Sequence, residues 1–459
     1  MTTHRKSSGR TPTARELALE ALTAIDQEGA YSNLALNDIL QRYRPEPREA
    51  ALATELVYGT IQRRNTIDTV LNRHIAKGLP KLQPWVRSLF RLSAYQLFYL
   101  DRIPPHAAVN EAVTIAKRRG HQGVSGLVNA VLRKLAAHPG APEAPEGLNE
   151  VDRIAFIHSH PSWLVREWAA MFGAEKAEAI AKANNEPPKV SIRTNRLKLN
   201  REELIARLAD DGIEAVPSEV SIDGVILTSG GNAAHSEAYE AGLCTVQDES
   251  SMLVAAFADP KPGMRVLDCC AAPGGKTTHL AELMGDRGEI IACDIHPHKR
   301  ELIEKNAKRL GHTSVQAITA DAAKLHERFD AESFDLILLD APCSGFGVVR
   351  RKPDIKWSKT PEDIHAIAEL QQTLLESVHR LLKRGGTLVY STCTLAEAEN
   401  GEQTARFLAE HPEFSFDAAA GGAVPGKVLE RCSAGAGQLL ITPADFGSDG
   451  FYMARMVRA

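Results

Sequence analysis

Apolar positions recur at helical spacing through residues 15–138. Ala18, Leu22 and Ile25 fall at i, i+4, i+7; Val109, Ala112, Val113 and Ala116 repeat the pattern, as do Val124, Leu127, Val128, Val131 and Leu132. These stripes predict a helical bundle with its apolar faces turned inward. The pattern becomes mixed after Val151. Trp163 to Phe172 reads as a short helix, Lys189 to Thr194 alternates as a strand, and Gly224 to Leu227 reads as another. Asn200 and Glu203 stand at capping-box spacing and open a helix through Leu208. From Gly263 strands and helices alternate. Strands are expected at Met264–Asp268, Glu289–Asp294, Ser314–Ala320, Phe334–Asp340 and Thr387–Ser391, and helices at Lys276–Met284, Lys299–Leu310 and Pro361–Leu382. Such alternation predicts a parallel sheet wrapped by helices, with its ligand site at the carboxyl ends of the strands where strand order reverses.

The chain of 459 residues is long enough for several domains. The fold class expected is multidomain: an all-α bundle, a small α+β connecting domain and an α/β Rossmann-like domain. The boundaries read as a disordered basic tail over 1–14, the bundle over 15–138, a Pro/Gly/Ala linker over 139–150, the connecting domain over 151–259 and the α/β domain over 260–459. Apolar residues at 44% and charged residues at 24% are ordinary for a globular protein, which excludes wholesale disorder. No apolar run of about 18 residues occurs, so no membrane span is expected. The N-terminus carries Arg5, Lys6 and Arg10 without an apolar segment, unlike a secretory signal. Seven scattered cysteines argue against a disulfide framework and for a reducing, cytoplasmic setting. There is no CxxC pair, and no metal is expected.

Charge changes the picture. Residues 1–140 carry a net +9 and the rest −13 within a total of −4. A basic module on an acidic body points to a polyanionic partner for the bundle, through cations such as Arg63, Arg64, Lys117, Arg118, Arg119, Arg133 and Lys134. A second run, Arg350, Arg351, Lys352 and Lys356 with Trp357, reads as a loop able to bind a polyanion's backbone and stack on a base, or as a solvated loop.

The sharpest local signal is the strand-to-helix turn Val266-Leu-Asp-Cys-Cys-Ala-Ala-Pro-Gly-Gly-Lys-Thr277. Gly274 and Gly275 let a ligand approach the backbone, and the helix start offers free N–H groups. Cys270 stands where a phosphate-binding loop needs its first glycine, and no G-x-G-x-x-G occurs. A nucleoside-type cofactor without a phosphate chain remains. Asp294 ends the second strand, where a carboxylate can take both ribose hydroxyls; Asp321 ends the third, within reach of an adenine amino group. Each could equally cap the helix that follows.

Cys343, in Asp340-Ala-Pro-Cys-Ser-Gly345, and Cys393, in Ser391-Thr-Cys-Thr394, follow the fourth and fifth strands among small polar residues. Neighbouring parallel strands would bring both thiols to the cofactor cleft. Cys244, Cys269, Cys293 and Cys432 read as small buried hydrophobes. A thiolate beside a nucleoside cofactor suits cytosine methylation: addition at C6 turns the ring into an enamine whose C5 can attack an electrophilic methyl group. The thiol needs a lowered pKa, from Lys276 or a helix N-terminus, and Asp340 is placed to serve ring N3.

These segments resemble the Sun (Fmu) family of S-adenosylmethionine-dependent RNA cytosine-C5 methyltransferases. The motifs just quoted carry the likeness, with Val246-Gln-Asp-Glu-Ser-Ser251 and Gly450-Phe-Tyr-Met-Ala-Arg455, over about residues 160–459. Ile103-Pro-Pro-His-Ala-Ala-Val-Asn-Glu-Ala-Val113 and Gly126-Leu-Val-Asn-Ala-Val-Leu132 look like a NusB-type RNA-binding bundle. The resemblance implies a class I methyltransferase domain and one small-subunit 16S ribosomal RNA cytosine (the cytosine-967 type) as target, with no DNA and no membrane partner. It implies that Cys393 is the nucleophile and Cys343 assists product release. It also implies that Cys270, Ala271, Ala272, Pro273, Gly274, Gly275 and Lys276 hold the cofactor, with Asp294 at the ribose, Asp321 at the adenine and Asp340 between cofactor and base. DNA methyltransferases place the nucleophile in a Pro-Cys pair, here Pro342-Cys343, but their Glu-Asn-Val tripeptide is absent. A non-catalytic RNA-binding factor would lack Cys393, Cys343 or the turn, and none is lacking.

Overall fold

The computed structural model describes residues 11–29, 31–229 and 233–459; Arg5, Lys6 and Arg10 of the expected basic tail lie outside them. The chain divides into two compact units. One runs through Asn185 and includes Lys352–Ser358; the other comprises Glu186–Arg351 and Lys359–Ala459.

Among its described residues the first unit opens with seven α-helices: Ala14–Glu28, Ser32–Tyr43, Pro47–Gln62, Arg64–His74, Pro84–Tyr99, Pro105–Arg119 and Gln122–Ala136. Thr13 and Glu16 form a capping box at the first. The helix Pro84–Tyr99 is buried along nearly its whole length, from Val86 to Phe98. Its Arg91 is tolerated there because Asp26 and Asp68 accept from it at 2.9 and 2.7 Å. Lys117, Arg118, Arg119, Arg133 and Lys134 are exposed. Linker residues 139–150 lie inside this unit, where Gly140 donates to the Leu97 carbonyl at 3.1 Å. Helices Glu150–Ile157, Ser162–Phe172 and Ala174–Ala183 complete it.

The segment 352–358 overturns one expectation. Lys356 is buried, donating from Nζ to the carbonyls of Gln62 and Ser159 at 2.9 and 2.7 Å. Trp357 donates its indole N–H to the Ile61 carbonyl at 2.8 Å. Neither is an open RNA contact. Burial, with Arg63 nearby, holds the Lys356 ammonium well below its usual pKa. In the second unit Arg350 is buried, donating to the Gly447 carbonyl at 2.7 Å, and Arg351 is committed to Asp449 and Asp248 at 2.7 and 2.8 Å. Of that run of cations Lys352 stays exposed. A row of charges reads as solvated in sequence; here carbonyls and carboxylates inside the protein replace the water.

The second unit holds two sheets. The small one is antiparallel, ordered β2 (Ala215–Pro217), β3 (Gly224–Leu227), β1 (Val190–Thr194), β4 (Cys244–Val246). The helix Arg201–Asp210 packs on it, with Asn200 and Glu203 forming the expected capping box. The large sheet has a parallel core in the order β9 (Leu382–Thr392), β8 (Phe334–Asp340), β5 (Arg265–Asp268), β6 (Glu289–Asp294), β7 (Val315–Thr319). β13 (Phe451–Arg458) runs antiparallel against β9, followed outward by β12 (Gln438–Ile441) and β11 (Ser433–Gly435), while β10 (Phe414–Phe416) also pairs with β13. Apolar cores cover both faces. The chain runs outward from β5 to β7, then returns to place β8 on the other side of β5, so strand order reverses between β5 and β8. One element differs from expectation. The helix beginning at Pro361 stops at Val378, and after a single 3-10 turn Leu382 starts β9 by pairing with Phe334.

Candidate active site

The site is built where strand order reverses. β5 ends at Asp268, and residues 269–274 turn the chain into the helix Gly275–Leu283. Gly274 is left-handed, with φ +100°, and a Cβ there would lie 3.2 Å from the Ile303 backbone, so glycine fits where larger residues strain. Ala271 donates to the Cys293 carbonyl at 2.8 Å, tying the turn to β6. Beneath it Arg193 of β1, fully buried, donates to the Gly275 carbonyl at 2.6 Å, to Gln247, and to both oxygens of Glu282 at 3.0 and 2.7 Å.

The turn walls a cavity of about 330 Å³, completed by Gln247, Asp248, Asp268, Asp340, Arg351, Asp449 and Phe451. Lys276 donates to Asp340 at 2.8 Å. Burial works against the Lys276 charge, but Asp340, Cys393 and Asp268 together outweigh it and the ammonium pKa is raised. Asp268 accepts from Thr277 at 2.6 Å, and its second oxygen is buried with no partner among the described residues. Burial pushes its carboxyl up to about 7, and burial pushes Asp449 up to about 7 as well, with Asp248 adding to it.

Asp340 joins the two halves of the site. One oxygen takes Lys276 from the turn; the other accepts from Ser391 of β9 at 2.8 Å. Asp340 and Ser391 are also partners in the β8–β9 register. Just past them Cys343 and Cys393 bring their Sγ atoms to 3.2 Å, and all seven cysteines are thiols. The Cys343 thiol pKa is pushed well above its usual value, by the Cys393 hydrogen bond first and by burial next. The loop carrying Cys343 is held from behind. Gln371 donates to the Pro342 carbonyl at 2.9 Å, and Glu399 accepts from the Ser344 amide at 2.9 Å and from its hydroxyl.

The cavity lining takes in Cys270, Ala271, Ala272, Pro273, Gly275, Lys276 and Asp340; Gly274, Asp294, Asp321 and both thiols lie outside it. Asp294 ends β6 and accepts from the His296 amide at 3.1 Å; Asp321 follows β7 and accepts from the Ala323 amide at 3.0 Å. Each thus also caps the backbone that follows. Sequence reasoning assigned nothing to Arg193, Asp268, Gln371 or Glu399. Arg193 had a signal, a lone arginine in the strand Val-Ser-Ile-Arg-Thr; Glu399 had none, because its partners are 55 and 28 residues away.

A parallel sheet with antiparallel β13 added beside β9 and a glycine turn after its first strand defines a Rossmann-like methyltransferase class, here joined to a NusB-like bundle. Residues 255–457 match the model described as 16S rRNA methyltransferase RsmB/F, residues 12–137 match the NusB family, and residues 160–234 match the ferredoxin-like domain of RsmF/B-like methyltransferases. The chain is 46% identical, over 96% of its length and 98% of the relative's, to the probable ribosomal RNA small subunit methyltransferase B of Bacillus subtilis. Among solved structures it is similar to PH0851, with TM-score 0.80 and 29% identity over 99% of this chain and all of that one. It is also similar to NSun6 from Pyrococcus horikoshii with SFG, with TM-score 0.57 and 25% identity over 65% of this chain and 98% of that one. The chain belongs to the RsmB/F family of 16S rRNA methyltransferases.

Proposed function

We propose that this protein methylates C5 of a cytosine in small-subunit 16S ribosomal RNA, using S-adenosylmethionine, in the cytoplasm. The observation that carries the reading is the bridge through Asp340, which links the glycine turn to the strand end bearing Cys393. The cavity fits a cationic nucleoside donor. Four carboxyl groups, Asp248, Asp268, Asp340 and Asp449, line it, and Asp268 offers a buried oxygen that no group among the described residues uses. In this reading residues 270–276 with Asp268 hold the cofactor, Asp294 takes the ribose and Asp321 the adenine. When bound, S-adenosylmethionine supplies an electrophilic methyl group.

The protein's own residues do the rest. The Cys393 sulfur adds to C6 of the cytosine, forming an S–C6 bond and leaving the electron pair of the former double bond at C5. The Lys276 ammonium, favoured by an anion at Cys393, favours that anion in return. Both Asp340 oxygens accept hydrogen bonds, so Asp340 orients Lys276, whose remaining N–H groups can donate to ring N3 or O2. As the C6–S bond breaks, the C5 proton leaves to solvent and the bonding pair returns to the Cys393 sulfur, to which Cys343, held as a protonated thiol 3.2 Å away, can donate its proton so that the product leaves. Because C5 and C6 must reach a cleft at the strand ends, the base has to be unpaired or extruded. The exposed cations of the helical unit would bind flanking phosphates. The test is incubation with methyl-tritiated cofactor and either 16S RNA or DNA, followed by nucleoside analysis. Label in RNA 5-methylcytosine is expected; label in DNA, or at another position, overturns the reading.

A further inference from the structure

A cluster away from the cavity carries a separate chemistry. Glu376 and His379 stand at i and i+3 at the end of the helix Pro361–Val378, and His411 follows the helix Gly401–Glu410. One ligand atom from each lies within 4.8 Å of the other two. The His379 and His411 ring centroids are 4.2 Å apart, and Glu376 Oε1 is 2.6 Å from His411 Nε2.

Three features suit a cation. His379 Nδ1 lies 3.2 Å from the Leu375 carbonyl, which can only accept, so the proton sits on Nδ1 and Nε2 keeps its lone pair. His411 Nδ1 faces Glu413 Oε1 at 3.7 Å, the outer carboxylate that metal-binding histidines commonly have. His379 and His411 are the C-caps of their helices, so two negative dipole ends converge here. His379 is wedged against Phe407 and Phe414, while Glu376 is about a third exposed and gives an ion its way in.

We propose that Glu376, His379 and His411 bind zinc(II) with water as fourth ligand, clamping the carbonyl ends of the two helices together. Binding exchanges the hydrogen bond between His411 and Glu376 for two bonds to the ion. His411 gives up its Nε2 proton to solvent and carries one on Nδ1, facing Glu413, so the ring binds as neutral imidazole; the two ligand atoms open to about 3.3 Å, as a tetrahedral site with bonds near 2.0–2.1 Å requires. Imidazole and carboxylate are ligands zinc accepts. No spacing motif announces the set, because His411 comes 32 residues after His379 from another helix. This inference does not rest on the methylation reading.

The full-length protein, stripped of metal by a chelator, is titrated with zinc(II) against a chromophoric chelator, and separately with cobalt(II). One equivalent of zinc is expected at micromolar concentration or below. The cobalt form should show visible bands without the near-ultraviolet charge-transfer band of a thiolate ligand. His411→Gln and Glu376→Gln should each weaken zinc at least about 100-fold and abolish the zinc-induced rise in melting temperature, with far-ultraviolet circular dichroism unchanged. No zinc uptake, equal uptake by both variants, or a thiolate band placing the metal on cysteine would each overturn the site.

Discussion

Cys343 and Cys393 face each other sulfur to sulfur at 3.2 Å, one beyond each of two adjacent parallel strands registered at Asp340 and Ser391. The Cys393 hydrogen bond and burial hold the Cys343 thiol pKa well above its usual value. Cys343→Ala should therefore accumulate an RNA–protein adduct that survives a denaturing gel, with turnover down at least about 100-fold. Cys393→Ala should form no adduct and show no turnover. The reverse pattern would exchange the two roles.

The link between the turn and the thiols predicts a second result. Asp340→Ala leaves the Lys276 ammonium half-buried with its carboxylate gone. It should cost about 1–3 kcal/mol in denaturant unfolding and most of the methylation rate. A variant with full turnover would remove Asp340 from the site.

Below the cavity, Arg193 and Glu282 form a fully buried pair that also holds the Gly275 carbonyl. Glu282→Gln leaves Arg193 without its anion and should destabilise by about 3–5 kcal/mol. Because the turn loses its support, cofactor affinity measured by calorimetry should fall as well. A stable variant with unchanged affinity would show that the turn holds itself.

Asp268 gives a pH signature. Its folded value, about 7, lies above the 3.8 of the free group. The native state thus holds a proton that the unfolded state has lost between these values, so its contribution to stability is full below about pH 4 and disappears as pH rises through 7. Asp268→Asn has no such proton to lose. Relative to Asp268→Asn, the wild type should lose up to about 4 kcal/mol between pH 4 and 8. Parallel melting curves for the two across that range would exclude the raised carboxyl.

The exposed cations at the helix ends are open to a salt test. Combined alanine substitution of Lys117, Arg119 and Lys134 should weaken RNA binding while sparing cofactor binding. It should also flatten the dependence of log K on log salt by about 1 for each phosphate that is no longer neutralised. An unchanged slope would place the RNA elsewhere.

The strands Glu289–Asp294 and Phe334–Asp340 could be read from the chain alone, because a parallel strand covered on both faces leaves an unbroken apolar run. The glycine turn was legible too, since few residue types allow φ +100° against the Ile303 backbone. The end of the helix at Val378 was not, because Leu381 and Leu382 prolong a helical stripe until Phe334 recruits Leu382 into β9. Lys356 and Trp357 were read as an RNA-facing surface, yet the carbonyls that take them belong to residues nearly 200 and 300 positions earlier.

The sequence by itself determined the periodic elements, the domain order and the residue types of the turn and of both strand-end thiols, because local propensity and backbone sterics act over a few residues. Tertiary structure decided which charges are buried and that the two sulfurs meet. It also decided that Asp340 joins turn to strand and that Glu376, His379 and His411 converge, because desolvation and hydrogen-bond pairing depend on neighbours the chain brings together only on folding.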